Sequence, residues 1–407
     1  MRILIVSWFF PPANAIGAIR VGRLAEYLLD QGHEVKVVSG RNDELAATLP
    51  MKFPAARVRY TRWNDVNWLP RTLQRWRKSL LNRSLTADNA TPSQPADASG
   101  IWRKLSNWYV DVTNVPDRHV GWIPWAYFGA LRDCRDWKPT LILASGPPFA
   151  GFYVASMLSR KLGIPWVAEF RDRWVDDPYA DFSAARRRRL TTLERKLISS
   201  ARAIITVSEP WAAFYRRKYD KPVAVVYNGY DEIDFAPAAD RDPAPPSASL
   251  TIAHMGSIYP GRRDPSPLFE ALALLGLGRS RFKVMFYGAS ATQVLEAADR
   301  HGVRDVVEAR DPVPYTQSIE MQRRSDVLLL LQWNDEREQG NCPAKLFEYL
   351  AVQRPILGIG LESGVPAAII RARNAGLFSN RPEQIAEQLR VWRTEKDETG
   401  IVAALPS

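Results

Sequence analysis

The chain has 407 residues, 46% of them hydrophobic, enough to bury two substantial cores, and a formal net charge of +11 that points to an anionic partner. Its two cysteines, Cys134 and Cys342, are far apart, which excludes a disulfide framework and a cysteine-rich metal site and makes a reducing cytosol the expected setting. No apolar run is long enough to cross a bilayer, and the opening run Ile3 to Phe10 meets Pro11 and Pro12 where a signal peptide would have a small-residue cleavage site, so it reads as a first buried strand.

From that strand the chain alternates short apolar runs with amphipathic helices. A helix from about Ala18 to Gln31 precedes HEVKVVS. TLILAS at 140–145, a helix through Leu162, PWVAEF at 165–170, a basic helix at 186–200, AIITVS at 203–208 and VAVVYNG at 223–229 follow. This is the rhythm of a parallel sheet covered by helices. APAADRDPAPPSAS, 236–249, is too rich in Pro, Ala and Asp for a core element and reads as a linker. The rhythm then restarts with LTIAHMGS, FKVMFYG, VVEARDPV, VLLLLQW and RPILGIG, predicting a second parallel sheet. Two such domains would leave a cleft at the carboxyl ends of their strands.

Residues 60–110 break the pattern. They hold Trp63, Trp68, Trp76, Trp102 and Trp108, eight basic residues against three acidic ones, and the low-complexity stretch TADNATPSQPADAS at 86–99. In LQRWRKSLLNRSL, Leu73, Trp76, Leu80 and Leu81 recur at helical spacing with Arg71, Arg75, Lys78 and Arg83 around them, as in an interfacial helix. A helix packed on its domain with a basic outer face has the same pattern.

EQGNCPAKLFEYLAVQRPIL, 338–357, opens a helix near Pro343. On spacing alone, Lys345 and Glu348 form a solvated i, i+3 pair while Leu346, Phe347 and Leu350 face the core. A lysine at a helix start also completes an anion site, because the first N–H groups there are unpaired and carry partial positive charge.

WFFPPANAIGAIRVGRLAEYLLDQGHEVKVV, VSEPW, VVYNGYD and PAKLFEYLAVQRPIL, in that order, resemble the retaining GT-B glycosyltransferases of family four, most closely those that build bacterial exopolysaccharides, capsules and O-antigens. The likeness covers nearly the whole chain outside 60–110. It implies an N-terminal acceptor domain at 1–235, the linker at 236–249, a donor-nucleotide domain at 250–385 and a helical tail at 386–407 packing back on the N-terminal domain. It implies a nucleoside-diphosphate sugar donor, a lipid-linked saccharide acceptor, no cofactor and no essential metal. Work at the cytoplasmic face of the cell membrane follows, with 60–110 on anionic lipid.

The resemblance also implies roles. Gly17 is the glycine that approaches the donor diphosphate. The cations after the first strand of the second domain fall on Arg262 and Arg263, with Ser257 in place of the usual arginine. Lys345, Leu346 and Glu348 belong to the donor site, Lys345 at the diphosphate and Glu348 at the ribose. A glutamate expected eight positions before Glu348, at the donor sugar, falls on Gly340, with Glu338 and Glu336 nearby. Arg171 and Asp172 in EFRDRW join Arg262 and Lys345 as catalytic candidates, and His119 and Trp174 are candidates for the acceptor side. Three other readings remain: a nucleotide-sugar 2-epimerase of the same fold, a catalytically silent partner subunit, and nucleic-acid binding, which no recognised module supports.

Overall fold

The computed structural model describes residues 1–68, 108–235, 248–259 and 261–403. The amphipathic segment 71–83, Trp76, Trp102 and residues 236–247 of the expected linker therefore lie outside the described residues. Packing divides the chain into two compact units, Met1–Thr206 with Tyr215–Ala224, and Val207–Phe214 with Val225–Ser407.

The first unit is built on a seven-stranded sheet of β1 (Arg2–Ser7), β2 (Glu34–Gly40), β3 (Val58–Thr61), β4 (Leu141–Gly146), β5 (Trp166–Phe170), β6 (Ala203–Thr206) and β7 (Val223–Val225), in the order β3-β2-β1-β4-β5-β6-β7. The pairings from β3 through β6 are parallel. Strand β1 buries every residue after Arg2, as a strand covered on both faces must. Helix Ile16–Asp30 lays Val21 and Ala25 against Ile3 and Ile5. The chain moves outward from β1 through β2 and β3, then returns to β4 on the other side of β1. The switch point of the sheet, where ligands of such sheets bind, therefore lies at the carboxyl ends of β1 and β4.

Strand β3 begins two residues before the segment that breaks the sequence rhythm, so its last residues, Tyr60 and Thr61, extend the sheet edge. Trp63 follows and packs edge-on against Trp8, ring centroids 5.1 Å apart.

The second unit repeats the plan with β8 (Leu250–Met255), β9 (Phe282–Tyr287), β10 (Val307–Arg310), β11 (Val327–Leu331), β12 (Ile356–Ile359) and β13 (Gly376–Phe378), ordered β10-β9-β8-β11-β12-β13 with parallel pairings throughout. Alternation along β11 feeds two cores, Leu329 and Leu331 into one and Leu328 and Leu330 into the other. Its switch point is at the ends of β8 and β11. The expected boundary at residue 385 falls inside one continuous helix, Pro382–Thr399. This helix belongs to its own unit: Lys396 Nζ donates to Asp326 Oδ2 at 2.5 Å and to the Ser249 carbonyl at 3.0 Å, tying it to the starts of β11 and β8.

Candidate functional site

In the second unit, β8 ends at Met255 and turns through Gly256 at φ +105°, a conformation that a side chain would strain. Lys345, second residue of the helix Ala344–Val352, reaches into this turn. Its Nζ donates to the Met255 carbonyl at 2.5 Å and would lie 3.0 Å from a Cβ on Gly256. Protein encloses Lys345 on most sides, although part of its surface stays open. Its ammonium is pushed down to about 7, by burial first and by Arg263 second, against a raising pull from Glu348. Pro343 at the N-cap offers no side-chain acceptor, and the first turn has no acidic residue, so the helix start keeps its positive end. Glu348 lies one turn on; its Oε2 accepts from Gln322 Nε2 at 3.3 Å, and burial raises its carboxyl above the ordinary range. Beneath them His254, in β8, is held neutral by burial and then by the Lys345 charge, with Nδ1 2.9 Å from the Leu329 carbonyl.

The two arginines after β8 separate. Arg262 stacks on Trp333, 4.9 Å from the ring centroid, on a ring that Arg337 also covers. Arg263 lies over Tyr259 and is the one whose charge is felt at Lys345 and His254. Ser257 is exposed beside them. Leu346 belongs to the core instead of a donor contact: its side chain is buried among Met255, Leu328 and Ile370, and its N–H is bonded to the Pro343 carbonyl at 3.1 Å.

The position where the family pattern has a glutamate is closed to one. Gly340 has φ +88°, and a Cβ there would overlap the Trp211 indole. Trp211 Nε1 donates to the Gln339 carbonyl at 3.0 Å and Ser208 Oγ to the Gly340 carbonyl at 2.6 Å, so the SEPW motif braces this loop. Of the neighbouring glutamates, Glu338 is 4% exposed and accepts from Asn341 Nδ2 at 2.6 Å, while Glu336 lies on the surface.

In the first unit, Gly17 is the second residue of the helix that starts at Ile16, again with no side-chain cap and no acidic residue in the first turn. A Cβ at Gly17 would overlap the Arg171 guanidinium, so glycine is required for the approach of that arginine. Arg171 also bonds the Pro147 carbonyl at the end of β4, and its N–H donates to the Gly146 carbonyl at 2.9 Å. Burial lowers its pKa, with Glu169 opposing. Glu169 itself is 1% exposed and takes two bonds from Arg20, at 3.0 and 2.8 Å, on one oxygen. Asp172 is exposed.

The acceptor-side candidates turn inward. Trp174, 3% exposed, stacks on Phe149 with centroids 4.6 Å apart, and His119, 5% exposed, lies 4.4 Å from Trp8 and 5.6 Å from Trp63. Aromatic packing accounts for both, and neither ring faces solvent. Glu169 and Arg20 went unread in the sequence; the signal for them was a carboxylate inside the otherwise apolar strand WVAEF. Among the described residues no cluster of His, Cys, Asp or Glu is placed to hold a metal ion, and no helix is long and apolar enough to cross a membrane.

The model of the glycosyl transferase 4-like domain matches residues 17–229. Among solved structures the chain is similar to WaaG, a glycosyltransferase involved in lipopolysaccharide biosynthesis, at 15% identity and TM-score 0.56, over 98% of this chain and 91% of that one. It is similar to HepE of Anabaena in complex with UDP, at 13% identity and TM-score 0.57, over 99% and 92%. A third likeness is to sucrose-phosphate synthase of Thermosynechococcus elongatus, at 14% identity and TM-score 0.57, over 98% and 97%. At such identities the likeness concerns the fold, which is GT-B with two Rossmann-like domains. No curated protein sequence matches the chain.

Proposed function

The chain belongs to the glycosyl transferase 4-like family and is a glycosyltransferase, and we propose that it moves a sugar, with retention, from a nucleoside-diphosphate sugar to a lipid-linked saccharide in surface polysaccharide synthesis. The observation that carries the donor assignment is Lys345 Nζ at the Gly256 turn, beside the uncapped start of helix Ala344–Val352. An amine so enclosed pairs best with a desolvated anion, and the missing side chain at Gly256 leaves room for a diphosphate oxygen. Glu348 accepts hydrogen bonds from ribose hydroxyls. As the bond from anomeric carbon to phosphate oxygen breaks, negative charge grows on that oxygen, and the cations Lys345 and Arg263 stabilise it more than they stabilise the bound donor. The acceptor hydroxyl bonds to the anomeric carbon and its proton ends on the departing diphosphate. Arg171 and Asp172 are proposed as catalytic groups, and Arg262 holds the loop against Trp333. No cofactor or metal enters the scheme.

HepE has been solved with UDP and with UDP-glucose, and TarM with UDP, which supports a uridine nucleotide as the first donor to try. WaaG acts in lipopolysaccharide biosynthesis, which supports a lipid-linked acceptor at the inner face of the cell membrane. Trp68 and Trp108, at the two edges of the described part of the insertion, are exposed, in keeping with peripheral contact with anionic lipid. The closure of Gly340 by Trp211 favours one second reading, a catalytically silent partner subunit.

Incubation with a panel of nucleotide sugars, with and without membrane lipid extract, separates these readings. Release of nucleoside diphosphate that requires lipid is expected. Isomerisation of the sugar without transfer would assign an epimerase, and binding without turnover under any condition would assign the silent subunit.

A further inference from the structure

Strand β5 places a carboxylate where its neighbours are apolar. Glu169 lies in register with Ser145 of β4 and Ile205 of β6, and Arg171, two residues on, projects to the same side. Across from them stands the first helix, bringing Gly17 against Arg171 and Arg20 against Glu169. The group thus holds two guanidiniums, a helix N-terminus and one buried carboxylate, with Asp172 out in solvent. Its net charge is positive.

An ion pair built only for stability would satisfy its polar atoms. This one does not. Both bonds that Glu169 takes from Arg20 fall on Oε1, and Oε2 is buried without a partner, as are Nε of Arg171 and the hydroxyl of Ser145. Among the described residues the Arg171 side chain is bonded through its far end alone, to the Pro147 carbonyl. The carboxylate therefore restrains Arg171 through its field and leaves N–H groups of that arginine unspent beside the uncapped helix start.

We propose that Glu169 is a positioning residue: anchored by Arg20, it keeps Arg171 folded against Gly17, ready to donate to a phosphoryl oxygen of a substrate. The functional half of this rests on the transferase reading. The phosphoryl group belongs either to the donor or to a phosphate-linked acceptor, and the two sources differ in which KM responds. Without Glu169, Arg171 keeps the repulsion of Arg20 and loses the first of its two attractions, and it turns outward to water.

The test uses the full chain and two variants, Glu169→Gln and the double variant Glu169→Gln, Arg20→Gln, which removes both members of the pair. The single variant is expected to lose both thermal stability and turnover. The double variant is expected to regain the wild-type Tm yet to release nucleoside diphosphate at least tenfold more slowly, and Arg171, located by peptide mapping, is expected to react with phenylglyoxal several-fold faster than in the wild type. A rise in KM for the nucleotide sugar assigns the phosphoryl group to the donor; a rise in KM for the acceptor assigns it to the acceptor. If the double variant recovers turnover together with Tm and keeps Arg171 protected, Glu169 is a structural partner of Arg20 and the proposal is overturned. Should the wild type release nothing from any nucleotide sugar, the transferase reading falls, and the phenylglyoxal reactivity of Arg171 still decides the role of Glu169.

Discussion

The two units place cations at the same topological position, the switch point of a parallel sheet beside an uncapped helix start, but choose different chemistry. The first uses Arg171 and Arg20 with a buried carboxylate between them. A guanidinium keeps its charge at any pH the protein meets, so that site has a fixed charge set by composition. The second uses Lys345, whose carboxylate neighbour Glu348 is itself raised by burial and whose other neighbour, Arg263, opposes its protonation. A lysine near neutrality is charged in proportion to what is bound beside it. One charge is preset, and the other would be completed by an anion bound beside it.

The largest expected effect comes from breaking the second site. Lys345→Ala removes a charge-assisted contact worth roughly 1.5 to 3 kcal/mol, so nucleoside diphosphate affinity should fall about ten- to a hundredfold. Calorimetry on the folded variant reads this directly, and unchanged affinity would leave Lys345 as a brace of the Gly256 turn with no part in binding. Gly17→Ala breaks the first site with one methyl group, since the new Cβ overlaps the Arg171 guanidinium. Moving a positioned group by about 1 Å costs catalysis up to a hundredfold. We expect about a tenfold loss of turnover, with little change in Tm because the helix accepts alanine; full activity would show that Arg171 has no part in the reaction.

The difference between the sites is sharpened by pH. Free Lys345 titrates near 7, and a bound diphosphate raises that value because it favours the charged amine. Binding therefore takes up a proton above neutrality. Affinity should be highest below pH 7 and fall by about tenfold between pH 6 and pH 8, the limit for one proton being tenfold per unit. In Lys345→Ala the slope should vanish. A slope that persists in the variant would place the titrating group elsewhere.

How much of this was legible depends on whether the cause is local. The start of the helix was legible because Pro343 fixes it, whereas spacing alone made Lys345 and Glu348 a solvated pair, only the resemblance assigned them to a donor site, and the structure leaves both partly enclosed. The helical period put Leu346 inward, and the structure keeps it there. The choice between Arg262 and Arg263 was not legible, because it depends on a distant ring, Trp333, taking one of them. Nor was the closure of Gly340, which Trp211 imposes from more than a hundred residues away in the chain. Trp174 looked like a site residue because it lies in the loop after a strand and His119 because it precedes a helix, and Phe149 and Trp8 turn them into core. Strands β3 and β13 are only four and three residues long, too short for a period to show.

The smallest expected effect concerns Glu348. Its carboxylate is enclosed, bonded to Gln322 and set above the usual range by burial, with Lys345 pulling it down. An ionised oxygen accepts from a hydroxyl more strongly than an amide oxygen does. Glu348→Gln keeps the shape and one acceptor, so only the difference between a charged and a neutral hydrogen bond is lost, about 1 kcal/mol, or roughly fivefold in affinity. The loss should be confined to the ribose. Wild-type protein should prefer a ribonucleoside diphosphate over its 2′,3′-dideoxy counterpart, and in Glu348→Gln that preference should shrink while affinity for the dideoxy compound stays put. Equal loss for both compounds would mean that Glu348 acts on Lys345 alone, as its counter-charge, and that the ribose is recognised by another group.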